Sequence, residues 1–145
     1  MPSIKCTEIL FDSTDYELAV ELRHRILRKP LGLNFSAEEL KNEISYTHLA
    51  AFSEDKLVAC CYLIAVDDNT IKIRQVAVDE SLQRQGFGKS LMIFAEKNAK
   101  AKGFKEIVLN ARDSAKEFYL KLNYTIEGKG FSEIGIHHFK MKKTL

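Results

Sequence analysis

The sequence lacks tryptophan, and it holds only two prolines and three cysteines among 145 residues. No run of the roughly 20 apolar residues needed to cross a bilayer occurs, so we expect no membrane partner. An odd number of cysteines without metal-ligand spacing predicts reduced structural thiols and no metal site. The formal net charge of only +2 gives no overall attraction to nucleic acid. The first residues also lack a signal peptide's pattern, so we predict one cytoplasmic domain over residues 1–145.

Hydrophobic periodicity predicts about seven strands and four helices. Alternating apolar residues and turn residues place the strands at 4–11, 47–52, 57–66, 71–78, 105–110, 124–128 and 136–142. Short turns between the early strands predict an antiparallel meander through the first four. A strand–helix–strand crossover then makes strands four and five parallel. The fold class is therefore predicted as α/β (α+β), with a mixed central sheet.

Helix starts are predicted from capping boxes, in which a hydroxyl and a carboxylate three residues later satisfy backbone amides. Three such pairs occur: Thr14 with Glu17, Ser36 with Glu39, and Ser114 with Glu117. The helix after Thr14 is expected to run to about Lys29, because Pro30 cannot continue it. A further amphipathic helix is expected from about Gly86 to Gly103.

The stretch QRQGFGKS, residues 83–90, lies between the strand at 71–78 and this amphipathic helix. Gly86 and Gly88 lack Cβ atoms where a ligand could approach the main chain, and a helix start offers free amides. The positive end of the helix dipole adds to that attraction, so this turn predicts binding of a diphosphate. A tight turn without a ligand stays open as the alternative.

Two nucleotide motifs compete for the same residues. A P-loop would need glycine where Gln83 stands, and the dinucleotide fingerprint would need glycine at Leu91. A P-loop-like nucleotide-binding protein is therefore a disfavoured alternative.

The turn fits the pattern (Q/R)xxGx(G/A) through Gln83, Gly86 and Gly88, and in these residues the chain resembles the GNAT superfamily of N-acetyltransferases. The segment DSAKEFYLKLNY resembles the helix of that family with the pattern AxxFYxxxG(F/Y). Asn123 stands where the family usually has glycine, and asparagine tolerates the left-handed conformation required there. The residues that match the helix pattern are Ala115, Phe118, Tyr119 and Tyr124.

The C-terminal segment FSEIGIHHFKM fits the pattern FxExGIxHxxM, which resembles a subset of small bacterial GNAT proteins. The matching residues are Phe131, Glu133, Gly135, Ile136, His138 and Met141.

This resemblance implies a GNAT-like sheet with an acetyl-CoA cleft between strands four and five. It implies direct transfer of the acetyl group to a primary amine of a small molecule or protein. Acetyl-CoA would be the cosubstrate, and no metal is implied. The residues implied in cofactor binding are Val76, Ala77, Val78, Gln83, Arg84, Gln85, Gly86, Phe87, Gly88, Lys89, Ser90, Asn110 and Tyr119.

The resemblance also implies catalytic roles. Tyr119 fills the position of the general acid that protonates the departing thiolate, and its phenol is neutral at pH 7 because its reference pKa is about 10. His138 and Glu133 are candidates for a base or relay, with a structural role as the alternative. Many family members hold a glutamate on the fourth strand, which here carries Lys72, Arg74 and Gln75.

Other readings stay open at this level. A catalytically idle CoA-binding or regulatory module would share every cofactor motif. Formation of a homodimer also stays open. Arg23 and Arg28 could attract an acidic acceptor, but exposed ion pairs with Glu17 and Glu21 are the expected role of such helix arginines.

Overall fold

A computed structural model describes residues 3–145 and gives the bounds of each helix and strand. The α-helices are α1 (Thr14–Arg23), α2 (Ala37–Lys41), α3 (Phe87–Ala101) and α4 (Lys116–Lys121). The strands are β1 (Lys5–Ile9), β2 (Thr47–Ser53), β3 (Lys56–Ala65), β4 (Thr70–Val78), β5 (Glu106–Arg112), β6 (Thr125–Ile126), β7 (Phe131–Glu133) and β8 (Ile136–Thr144). The part of the chain so described therefore contains the predicted four helices and one strand more than the predicted seven.

These residues form two compact units. The first unit holds the chain up to Ile64 together with Gln75–Ala95, and the second holds Ala65–Arg74 and Glu96–Leu145. The strand β4 and the helix α3 each contribute residues to both units. The single domain expected over residues 1–145 stays a prediction.

The first unit contains the first three strands of the predicted four-stranded antiparallel meander. Strand β1 pairs with β2, and β2 pairs with β3, so that Leu49 lies opposite both Glu8 and Cys61. The turn between β2 and β3 places Glu54 and Asp55 at φ values of 51° and 64°, as a two-residue hairpin turn of type I′ requires. Helix α1 covers this part of the sheet, and the shared core consists of Ile9, Ala19, Leu22, Ala50, Leu57, Cys60 and Ala77.

Two of the three predicted capping boxes are wrong. Helix α1 is capped by Ser13, whose Oγ accepts a hydrogen bond from the Tyr16 amide at 3.1 Å, so Thr14 is already the first helical residue. Ser114 lies in a short 3₁₀ turn, and α4 begins two residues later without a side-chain cap. Only the box of Ser36 and Glu39 is confirmed, with both reciprocal hydrogen bonds present.

The chain after Arg23 departs from the single helix expected up to Lys29. It forms a π-helical turn over His24–Arg28 and then a 3₁₀ turn over Lys29–Leu31. Pro30 lies at the start of the 3₁₀ turn, where its missing amide hydrogen is not needed. Gly32 ends the segment at a φ of 70°. The α-helix therefore ends at Arg23, earlier than predicted, and Pro30 lies within the 3₁₀ turn and does not end the helix.

A buried ion pair joins α1 to the 3₁₀ turn that precedes β2. The Arg23 guanidinium donates two hydrogen bonds of 2.7 Å to the two carboxylate oxygens of Glu43. Tyr16 donates a third to that carboxylate at 2.8 Å, and the ring of His48 meets the Glu43 carbonyl oxygen at 2.8 Å. The expected exposed pairing of Arg23 with Glu17 and Glu21 is therefore wrong, because its partner comes from a distant part of the sequence.

The pair alters the titration of its neighbours. Burial opposes the positive charge of Arg23, but the hydrogen bonds and charge of Glu43 outweigh burial and raise the pKa of the guanidinium. Burial and the hydrogen bond to Glu43 raise the pKa of Tyr16. Burial lowers the pKa of His48, so the cluster favours a neutral imidazole beside a charged pair.

The second unit contains the predicted parallel pair of strands four and five. Residues 70–72 of β4 lie opposite residues 106–108 of β5, and β5 then pairs antiparallel with β8 along its whole length. Strands β6 and β7 both pair with β8. The C-terminal part of α3 is held by Glu96, which accepts hydrogen bonds of 2.8 Å from Tyr124 and Lys143.

Replacing Glu43 with glutamine tests the buried pair. We expect Glu43→Gln to reduce the free energy of unfolding by about 3 to 5 kcal/mol, because a buried guanidinium loses its countercharge. Glu39→Gln removes the more exposed partner of Arg28 and serves as the matched control, with an expected loss of at most about 1 kcal/mol. Urea unfolding followed by circular dichroism measures both, and equal losses for the two variants would contradict the assignment.

Candidate functional site

The glycine turn leads directly into α3 in the first unit. Gly86 has a φ of 89°, a conformation that residues with a Cβ rarely adopt, and its carbonyl accepts the first helical hydrogen bond from the Ser90 amide at 3.0 Å. Phe87 is 1% exposed and therefore anchors the helix start in the core. The amides of residues 87–89 belong to the first turn, whose N–H groups have no partner within a helix. The turn therefore presents main-chain donors, as its sequence predicts.

The side chains around these amides are mostly exposed. Gln83, Arg84, Gln85 and Lys89 lie at the surface, whereas Gly88 is buried and Ser90 is half-buried. The first turn of α3 contains Lys89 and no acidic residue. The positive end of the helix dipole and the side chains of Arg84 and Lys89 all attract negative charge, so the electric field at this turn favours an anion.

Asp79 fixes the segment between β4 and the turn. Its amide donates to the Val58 carbonyl at 2.8 Å, and its carboxylate accepts from both the amide and the hydroxyl of Ser81 at 3.0 and 2.7 Å. The hydrogen bonds from Ser81 lower the pKa of this carboxyl group, although burial acts in the opposite direction. Arg25, on the π-helical turn, reaches Asp79 at 3.2 Å and Glu80 at 3.0 Å. The entry to the glycine turn is thus attached to the π-helical turn and to β3.

The second half of β4 contains an irregularity at Gln75. This residue has a φ of 55°, which is unusual for any residue with a side chain and more so inside a strand. A left-handed residue in a strand interrupts the regular ladder, as in a β-bulge. Its buried amide oxygen has no hydrogen-bond partner among residues 3–145. Beyond it, Val76 and Val78 are half-buried, and Ala77 packs in the core against α1.

Tyr119 lies in the second unit, on the short helix α4. It is 7% exposed and contacts two aromatic rings edge to face, Phe118 at 5.0 Å and Tyr124 at 5.8 Å between centroids. The helix ends at Lys121, and Asn123, two residues beyond it, adopts a φ of 72° in place of the glycine of the family pattern. The Tyr124 amide then donates to the Tyr119 carbonyl at 3.1 Å, which completes a helix-ending motif. The expected tolerance of asparagine at this position is confirmed.

Asn110 lies in β5 and is half-buried, with Lys140 of β8 directly opposite. Glu133 and His138 belong to the β7–β8 hairpin, a strand pair that the sequence did not predict because β7 is only three residues long. The His138 ring is buried, stacks on Phe131 at 5.7 Å between centroids, and meets the Ile136 carbonyl through Nδ1 at 2.8 Å. A proton acceptor at His138 would therefore act through Nε2.

The predicted residues thus fall into two groups. Residues 76–78 and 83–90 lie in the first unit, while Asn110, Tyr119, Glu133 and His138 lie in the second. Sequence reasoning missed Arg25, Gln75 and Asp79. The Asp79–x–Ser81 spacing is a sequence signal for an aspartate that accepts from the amide two residues later, whereas no local pattern indicates the φ of Gln75.

The described residues were also compared with the requirements of a metal site and of a membrane-spanning helix. Among residues 3–145, no three histidine, cysteine or acidic side chains meet as metal ligands would. No helix in the same range is long and apolar enough to cross a membrane.

Comparison with known proteins gives consistent matches. The family model described as acetyltransferase (GNAT) domain matches residues 27–145. An uncharacterized N-acetyltransferase of Bacillus subtilis strain 168, YitI, is 27% identical over 132 residues, which cover 86% of this chain and 89% of the relative. The match therefore extends over nearly the whole of both proteins.

Solved structures show the same fold. A Lactobacillus plantarum protein described as an N-acetyltransferase superposes with a TM-score of 0.87 at 19% identity, covering 99% of each chain. A GNAT family acetyltransferase from Elizabethkingia anophelis, solved with acetyl-CoA bound, superposes with a TM-score of 0.73 at 20% identity over 98% of each chain. The predicted mixed α/β fold is confirmed, with eight mostly antiparallel strands and four helices in the described chain.

Proposed function

The chain belongs to the acetyltransferase (GNAT) domain family, and from this membership we propose that it transfers the acetyl group of acetyl-CoA directly to a primary amine. The acceptor amine belongs to a small molecule or a protein. The observation that carries the proposal is the glycine turn at the start of α3, where main-chain donors and two cations favour an anion. The Elizabethkingia relative, which binds acetyl-CoA, supports the choice of cosubstrate.

The turn would hold the diphosphate of the cosubstrate mainly through its amides. Residues 83–90 supply these donors, and Arg84 and Lys89 add positive charge at the surface. Asp79 and Arg25 keep the entry to the turn in place through the hydrogen bonds that Asp79 accepts from Arg25 and Ser81. Because an amide donor needs no particular side chain, the backbone conformation at Gly86 is the main requirement.

Strand β4 would supply the next contacts, from the main chain of residues 76–78 to the pantetheine arm. The left-handed residue Gln75 supports this assignment, since a break in the ladder leaves backbone groups available for a ligand. An amide near Val76 would donate to the thioester carbonyl oxygen as that oxygen gains negative charge. Asn110 would contact the pantetheine through its side-chain amide.

Direct transfer requires two proton movements. The amine nitrogen attacks the thioester carbon, the C–S bond breaks, and the sulfur takes a proton from the Tyr119 hydroxyl. The amine loses its own proton to water, either directly or through Glu133 or His138, and the Tyr119 phenolate regains a proton from water. No covalent intermediate with the protein is needed, and the proposed site residues include no cysteine. The thiol of Cys60, for comparison, is buried and has its pKa raised to about 12.

The two alternatives gain no support from the comparisons. An idle CoA-binding module would bind the cosubstrate without turnover, and a P-loop-like protein would bind ATP with magnesium. The decisive measurement is calorimetric titration with acetyl-CoA, CoA and ATP–magnesium, followed by thiol release from acetyl-CoA with a library of amines. We expect binding of both CoA species only, and turnover with at least one amine. ATP binding without CoA binding would contradict the proposal.

Substitution at Gly86 tests the backbone cradle. We expect Gly86→Val to weaken CoA binding at least about tenfold, since a β-branched residue resists the positive φ and displaces the amides. Lys89→Ala should weaken binding less, because it removes one exposed charge. Calorimetry measures both, and Gly103→Val is the control, since Gly103 has a φ of 93° at the other end of α3. The reverse ranking of Gly86→Val and Lys89→Ala would count against the cradle.

Removal of one hydroxyl tests the general acid. We expect Tyr119→Phe to lower kcat by at least about 10²-fold while CoA affinity is kept, because the phenol acts on the thiolate only during the reaction. Tyr124→Phe is the control, since it removes a neighbouring hydroxyl that donates to Glu96. Steady-state kinetics with calorimetry separates the two effects. Normal turnover in Tyr119→Phe would exclude Tyr119 from the mechanism.

A further inference from the structure

One face of the sheet in the second unit carries several cations, and three of them have no ion-pair partner among residues 3–145. Lys72 of β4 lies opposite Val108 of β5, and Asn110 lies two residues further along β5 on the same face. Lys140 of β8 lies directly opposite Asn110, so its side chain is on that face as well. Arg74 follows Lys72 by two residues and completes the group. We call Lys72, Arg74 and Lys140 the cationic face.

The cationic face has no countercharge bound to it. Among residues 3–145, none of its three side chains has a carboxylate within ion-pair distance, whereas the neighbouring Lys142 and Lys143 reach Glu127 at 3.9 Å and Glu96 at 2.8 Å. Arg74 and Lys140 are exposed, but Lys72 is half-buried. A partly buried cation beside two other cations is an unfavourable arrangement unless an anion joins it.

Electrostatics indicates that the three groups interact. Burial lowers the pKa of Lys72, and the charges of Arg74 and Lys140 lower it further, while the carboxylate of Glu133 acts in the opposite direction. Glu133 is thus the acidic group that faces Lys72, and it offsets only part of the repulsion. A bound anion would act against this shift, because it favours the charged form of Lys72.

The position of the cationic face connects it with the proposed reaction. Asn110, proposed above to contact the pantetheine, lies directly beside Lys140 and on the same face as Lys72. The β4–β5 ladder contains three residue pairs and ends at Lys72, so Arg74 and Asn110 lie where the two strands no longer pair.

We propose that the acceptor amine carries an anionic group, a carboxylate or a phosphate, which the cationic face binds. This inference rests on the proposed acetyltransferase function and names its substrate class. Arg74 can bind either group through two parallel hydrogen bonds, and the two lysines add charge without fixing geometry. Polyamines, which carry only positive charge, would be rejected by the same field.

Matched pairs of amines test the substrate class. We expect β-alanine to be acetylated with a kcat/KM at least about tenfold above that of β-alaninamide, and phosphoethanolamine to exceed ethanolamine similarly, because each pair differs only in the anion. The preference should fall as ionic strength rises. Equal kcat/KM values within both pairs, or a preference for spermidine over all four, would overturn the proposal.

A variant locates the anion. We expect Lys72→Met to raise the KM of the preferred anionic amine about tenfold with little change in kcat, because the charge positions the acceptor without entering the reaction. The matched control is Lys97→Met, which replaces an exposed lysine on α3. A merely structural role of Lys72 would alter the KM of anionic and neutral amines equally, and that outcome contradicts the proposal.

Two binding measurements separate this proposal from the proposed function. With CoA present, N-acetyl-β-alanine should bind the wild-type protein at least about tenfold more tightly than N-acetyl-β-alaninamide, and this preference should disappear in Lys72→Met. If the wild-type protein shows no preference for N-acetyl-β-alanine, the anion site is overturned even if turnover is seen. If the preference is present, the site is supported even if no tested amine reacts. Binding of CoA is also compared with binding of dephospho-CoA. If Lys72→Met weakens the binding of CoA but not of dephospho-CoA, the anion near Lys72 is a phosphate of the cosubstrate, and the assignment to the acceptor is wrong.

Discussion

The first unit depends on one buried ion pair, between Arg23 and Glu43. Two charges out of water are tolerated only when nearly every donor and acceptor around them is satisfied, which here requires Tyr16 on α1 and the turn before β2 to meet at hydrogen-bond distance. The ring of Phe35 covers the guanidinium at 4.6 Å. Helix α1, the long connection to β2 and the first strands therefore cannot shift independently, because any displacement would expose an unmatched charge.

The π-helical turn that follows this helix also determines where the glycine turn lies. Arg25 comes two residues after the buried Arg23 and holds Asp79, whose carboxylate organises the residues before the turn. Phe87, fully buried, fixes the other side of the turn as α3 begins. Gly86 lies between these two attachments and takes a conformation that the surrounding structure imposes. The turn is thus a preorganised group of amide donors, and binding of an anion would require little ordering of the chain.

Local patterns predicted well what is determined locally. The hairpin turn before Lys56, the reciprocal cap of Ser36 and the asparagine at the end of α4 all follow from interactions within four residues. The failures share a different cause. Serine and threonine are both favourable N-cap residues, so the sequence alone does not choose between Ser13 and Thr14. The tertiary structure selects Ser13. The partner of Arg23 lies 20 positions away in the sequence, and helix periodicity carries no information about it. The φ of Gln75 depends on how β4 meets its neighbours.

The π-helical turn over His24–Arg28 bears on how this chain should be aligned with its relatives. A π turn holds one residue more than the α-helical turn it replaces, and such turns occur mostly as single turns within helices. A relative with a regular helix here would be one residue shorter between the buried Arg23 and the proline that follows. A sequence alignment without a gap would then match Arg25 or Arg28 with residues of the relative that occupy different positions in space. The residue of a relative that corresponds to Arg25, which holds Asp79, should therefore be identified by superposing the two structures.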